Sequence, residues 1–224
     1  MISVNTFVRH SSVWMQVTPG LEPVLRAANT FQEPIGPPVS SLGRSERNAL
    51  LAETAFLLAA TGFPGQDYER NELESKARDF LLNLPHSSGV EAALSPEEWL
   101  EVSDLARVTQ RYTARLENAV FSPRIPGCGV VDSATADVLA EKELVEIKTV
   151  TRPFQANDLR QSLTYAAMLY ASGRRIDHIT LLNPRRARAV RLSISEIAAA
   201  TRGDSDVELM QALIEWMVGL QVSA

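Results

Sequence analysis

The chain has one cysteine in 224 residues, Cys128. A single thiol excludes an internal disulfide and any cysteine-built zinc or iron–sulfur site, and it reads instead as a small buried hydrophobe in a strand. Histidine is scarce as well. His10, His86 and His178 are scattered, and none falls in a pattern with Cys128 that would make a nucleophile and its base. No glycine-rich phosphate loop is present, so nucleoside-triphosphate chemistry is not expected. Charged or polar residues interrupt every apolar run well before the length of a membrane span. Met1–His10 lacks the architecture of a signal peptide. The expectation is a cytoplasmic protein with no membrane partner, without repeats or low-complexity tracts.

What is present suffices for a core. Hydrophobic residues make up 45% of the chain, and the length fits one domain, or one core domain with a substantial appendage. The net charge of −5 argues against a free-standing, tight nucleic-acid binder. Its distribution is uneven. Residues 121–192 hold eleven Lys/Arg and seven Asp/Glu, a net of +4, and the remainder carries −9. Arg174, Arg175, Arg185, Arg186, Arg188 and Arg191 would suit a phosphate-tracking edge.

The chain divides at about residue 94. In 1–94, Ser12–Val17 reads as a strand, 23–29 as a short helix, 31–41 as a proline-rich connector, and 44–61 and 66–84 as helices. Residues 85–94 read as a loop. In 95–224, Ser95-Pro96-Glu97-Glu98 is a strong helix start, with Ser as N-cap and Glu three residues on. That helix is expected to reach Asn118 and to carry Arg107, Arg111 and Arg115 as a stripe. Strands are then expected at 128–132, 136–140 and 144–150, a helix at 158–171, strands at 176–182 and 189–194, and helices from Ser195 and over 207–220. The fold class expected is α/β (α+β): a mixed central sheet in an α-β-β-β-α-β core, with a mainly helical N-terminal half.

The run Ala136–Lys148 is the most informative segment. A turn centred on Glu141-Lys142 makes it a β-hairpin and sets Asp137 directly opposite Glu146. Alternation along the second strand puts Leu144, Glu146 and Lys148 on one side. Opposed like charges normally destabilise a sheet, and a divalent cation removes that penalty by taking carboxylate oxygens. Asp132 also precedes the hairpin. It lies five residues before Asp137 and so faces the other side of a straight strand, unless a bulge at Ser133–Thr135 reorients it. On the following helix, Gln161 and Tyr165 are four apart and share a face. Glu53 and Glu117 sit on earlier helices, and nothing in the sequence chooses between them as a further acidic group.

An Asp followed by Glu-x-Lys on the next strand resembles the signature of the PD-(D/E)XK nuclease superfamily. The spacing of Gln161 and Tyr165 resembles the Q-x-x-x-Y motif of its exonuclease branch. The likeness covers about the last hundred residues. It implies a restriction-endonuclease-like core and Mg²⁺ (or Mn²⁺) held by Asp137 and Glu146. It also implies Lys148 as the catalytic lysine, Gln161 and Tyr165 lining the active site, and hydrolysis of phosphodiester bonds, with DNA the expected substrate. The same run is similar to small nuclease-like proteins of bacterial anti-phage defence systems. The first 120 residues exceed what such a core needs. Trp14, Phe31, Phe56 and Phe63 would suit a docking surface for a protein partner or a second copy of the chain. The alternative expectation is a non-catalytic structural or nucleic-acid-binding subunit on the same fold.

Overall fold

A computed structural model describes residues 1–65, 68–84 and 89–220; His86 and the ends of two expected segments, at 66–67 and 85–88, lie outside them. Its helices are α1 (Val4–Val8), α2 (Ser11–Val17), α3 (Leu21–Thr30), α4 (Asn48–Ala60), α5 (Arg70–Leu82), α6 (Pro96–Thr113), α7 (Ala156–Ala171), α8 (Ile194–Arg202) and α9 (Asp206–Gly219). Its strands are β1 (Glu33–Pro34), β2 (Val120–Phe121), β3 (Arg124–Ile125), β4 (Ala134–Thr135), β5 (Val138–Leu139), β6 (Glu143–Ile147), β7 (His178–Asn183) and β8 (Arg188–Ser193). The main sheet has the order β1-β8-β7-β6-β5-β2, with β3 and β4 paired separately. Among the described strand pairs of this sheet only β6–β7 is parallel. The α7 crossover connects that pair, as a parallel connection requires. The fold is thus a mixed α/β architecture. Among the described residues no helix is long and apolar enough to cross a membrane.

Each sheet face is covered. Leu139, Leu144, Ile179, Leu181 and Val190 belong to the core shared by α7, α8, α9 and the N-terminal helices. Val138, Val145, Leu182 and Ala189 face Val108 and Tyr112 of α6 instead. The strict alternation follows from the pleat. Residues before 95 therefore divide between two cores: α1–α3 pack with α7–α9, while α4 and α5 pack with α6. Polar groups fix this arrangement. Glu101 of α6 has no solvent exposure; it pairs with Arg185 at 2.5 Å and accepts from the Leu42 and Gly43 amides, tying the connector to the β7–β8 turn.

Several expectations need correction. Residues 12–17 form a helix. Val13, Met15 and Val17 mimic a period of two, but the buried set is Val13, Trp14 and Val17, while Met15 is 66% exposed. Cys128–Asp132 is not a strand. Cys128 and Val131 exchange backbone hydrogen bonds across a tight turn. The first strand of the three-strand meander is instead β2, and its partner β5 is two residues long. β6 stops at Ile147, although the Lys148 amide still donates to Leu182 O of β7. The helix from Ser95 has the expected reciprocal cap but ends at Thr113.

The basic features are also rearranged. Arg107 pairs with Asp104, Arg111 donates to Ile35 O and Arg115 pairs with Glu33. Of the expected phosphate-tracking edge, Arg185 is internal. Arg174 caps Ala140 O, and Arg175 and Arg191 pair with Asp206 and Glu143.

Gly129 marks the strictest local constraint. Its φ is +55°, and an added Cβ would stand 2.2 Å from Met217 O of α9. The Val130 amide donates to that same carbonyl at 2.8 Å. Gly129→Ala is expected to lower unfolding free energy by more than about 1 kcal/mol, because the strained backbone and the clash add. Chemical denaturation of both proteins measures it, and coincident midpoints would show that the turn yields without cost.

Candidate active site

β5 and β6 pair Val138 with Val145 and Leu139 with Leu144. Extended by one step, this register sets Asp137 against Glu146, as the sequence suggests. Asp137 continues the contact at its side chain, accepting from the Ile147 amide at 2.6 Å. Asp132 has no comparable link; its amide donates to Ile2 O, tying the loop to the N-terminus. The structure therefore brings Asp137, rather than Asp132, to Glu146.

Glu146 and Lys148 project from β6 toward α7. Lys148 Nζ donates to Glu146 Oε1 at 2.8 Å and to Gln161 Oε1 at 3.0 Å. Gln161 Nε2 in turn donates to the Tyr165 hydroxyl at 3.1 Å, and Tyr165 donates to Thr135 O at 3.4 Å. The chain of contacts runs from the hairpin across the helix and back to β4, two residues before Asp137. Asp158 supports it: it caps α7 at the Gln155 amide and takes two bonds from Arg152, at 2.7 and 3.0 Å.

Glu146 is 2% exposed, and its second oxygen, Oε2, is buried with no hydrogen-bond partner among the described residues. Burial, followed by the nearby Asp137 charge, pushes its carboxyl up to about 8. Burial also raises Asp137, against the lowering effects of the Ile147 amide and Lys148. Burial alone would lower Lys148, but the Glu146 charge and hydrogen bond outweigh it, so the ammonium is held above its ordinary range. Burial and the Glu146 charge push Tyr165 up to about 12.

Glu53 of α4 joins this neighbourhood. It lines, with Asp137 and Ile147, a cleft of about 520 Å³ between α4–α5 and the end of the hairpin. Burial, then Asp137, pushes its carboxyl up to about 7. Glu117 lies at the opposite end of the hairpin, where its carbonyl accepts from the Glu141 amide. Sequence reasoning left these two glutamates equivalent. Nor does the sequence single out Lys76 and Phe80, which reach the cleft through tertiary packing that leaves no spacing signal, or Arg152, which pairs locally with Asp158.

Two opposed carboxylates and a fixed ammonium can bind a hard cation and steady an anionic group beside it. Among the described residues, no group of three or more His, Cys, Asp or Glu side chains is poised to hold a metal ion. The donor set is the carboxylate pair. Comparisons with protein-family models, with curated proteins and with solved structures returned no match.

The raised carboxyls carry a stability consequence. Unfolded, Glu146 loses its proton near the ordinary value of 4.5; folded, it keeps that proton to about 8. The native state therefore binds more protons across that window, and stability falls as pH rises through it. Metal-free protein is expected to lose a few kcal/mol between about pH 5 and about pH 8.5, and Glu146→Gln to lose much less. Denaturant midpoints of both proteins at the two pH values give the comparison. Parallel losses would mean that the opposed carboxylates do not carry the linkage.

Proposed function

We propose that the protein is a divalent-metal-dependent nuclease of the PD-(D/E)XK type, hydrolysing phosphodiester bonds, with DNA as the substrate the resemblance implies. The observation that carries this reading is Lys148 bonded at once to Glu146 and Gln161, on the face where Asp137 opposes Glu146. The order α6, β2-β5-β6, α7, β7 supports it, being the α-β-β-β-α-β order expected of that superfamily.

Asp137 and Glu146 would hold Mg²⁺ or Mn²⁺. The partnerless Oε2 of Glu146, and a Glu146 carboxyl raised by burial and by the Asp137 charge, fit such an ion, and magnesium is commonly satisfied by one or two carboxylates. Bound there, a metal ion supplies charge neutralisation at phosphate oxygens and a more acidic water. Lys148 holds a phosphate oxygen or orients the attacking water, with its ammonium fixed by Glu146 and Gln161. Gln161 is in turn fixed by Tyr165, so the two helix residues position the lysine. Glu53 adds a third carboxyl on the far wall of the cleft.

The engagement of most basic side chains in internal pairs supports a further part of the proposal. The protein works with a partner chain or a second copy that holds the nucleic acid, since long-range attraction from this chain alone is weak. A role in anti-phage defence is the setting the resemblance implies.

At low salt with Mg²⁺ or Mn²⁺, purified protein is expected to cleave DNA. Lys148→Ala is expected to lose roughly a hundredfold or more of that activity while keeping a cooperative melting transition. Metal binding should also raise the melting temperature, by about 2.7 kcal/mol of stabilisation at a hundredfold excess over Kd, and Asp137→Asn should reduce the gain. Cleavage retained by Lys148→Ala, or a wild-type protein indifferent to metal, contradicts the assignment.

A further inference from the structure

Beside Glu53, the α4–α5 wall of the cleft that contains Asp137 carries side chains that the chemistry above leaves unused. α4 contributes Phe56 and Leu57 to it, and α5 contributes Lys76 and Phe80. Phe56 is held against Phe121, ring centroids 5.6 Å apart. Phe80 is 50% exposed, and none of the ring pairs among the described residues includes it. The cleft has little positive charge. Among the described residues that line it, Lys76 is the one Lys or Arg, and it pairs with Glu72 at 2.6 Å. Asp137, on the opposite wall, stands across β5–β6 from the buried Glu146, so a nucleotide that reaches the carboxylate pair passes the α4–α5 side chains.

A duplex keeps its base faces stacked inside and presents phosphates outward. That surface matches neither an aromatic wall nor a recess with one engaged cation. An unpaired nucleotide presents a π-face and can enter. We propose that the α4–α5 wall is a stacking platform for an unpaired base, with Phe80 as its ring, so that the strand handled at Asp137 and Glu146 is single-stranded. The role given to that strand rests on the nuclease reading. Affinity then comes from stacking more than from phosphate neutralisation. Binding should therefore depend weakly on salt, since each neutralised phosphate of a single strand adds about −0.7 to the log–log slope.

The test uses the full chain in chelator, so that cleavage does not compete with binding. Anisotropy of a labelled oligothymidylate follows binding. Wild type is expected to bind it better than the matching duplex, with a salt slope no steeper than about −1. Phe80→Ala should weaken binding about tenfold or more, and Phe80→Trp should restore it. No binding by wild type, preference for the duplex, or unchanged binding by Phe80→Ala overturns the proposal. The assay reads no cleavage, so the two readings fail separately. A strand bound in this way but left intact in Mg²⁺ removes the nuclease and keeps the platform. Cleavage indifferent to Phe80 does the reverse.

Discussion

The register between β5 and β6 is the constraint on which the rest of the site depends. A slip of one residue would turn Glu146 and Lys148 away from α7 and carry the apolar residues of the strand to the opposite face of the sheet. Several independent contacts hold that register. Val138 and Val145 are buried toward α6, and Leu139 and Leu144 toward α7, so the pair cannot shift without exposing one set. At the first residue of β6, Glu143 accepts from the Tyr112 and Thr180 hydroxyls, each at 2.7 Å, and from Arg191. That buried network pins the strand to α6, β7 and β8 together. On its other edge β6 pairs with β7 over five residues.

A register held this firmly allows the end of the hairpin to be locally unfavourable. Asp137 and Glu146 face each other, one of them almost without solvent, and both carboxyls are raised by burial. Lys148 offsets part of the cost and is itself retained by Gln161. Strain of this kind persists only where the surroundings over-determine the geometry, and such places cluster at functional sites. The contrast with Glu143 is informative. It too is buried on β6, but hydrogen bonds and Arg191 outweigh burial and hold its carboxyl below the ordinary range. Two glutamates three residues apart on one strand thus differ in character because one faces a complete set of donors and the other faces a carboxylate.

The legible parts of the sequence were the local ones. The hairpin could be read because its turn and alternation fix which residues oppose each other, and Gln161 and Tyr165 because a helix brings positions four apart onto one face. The cap at Ser95 was readable for the same reason. Features set by tertiary packing were not. The apolar alternation of Val13, Met15 and Val17 suggested a strand, and only packing against α9 and α7 decided for a helix. Cys128–Asp132 looked like a strand until the approach of α9 to Gly129 required a turn. Arg185 looked like an exposed cation, and nothing near it in sequence announces Glu101, its buried partner. Choosing Glu53 over Glu117 likewise required knowing which end of the hairpin α4 approaches.

The central claim is that the facing pair Asp137 and Glu146 is a metal site. Anomalous diffraction at the manganese edge, from crystals soaked in Mn²⁺, tests it most directly. The account predicts an anomalous peak between the two carboxylates, within about 2–2.5 Å of an oxygen from each. A Mn²⁺ ion bound elsewhere on the chain, with Lys148 still bridging Glu146 and Gln161 and no peak between the carboxylates, would contradict it.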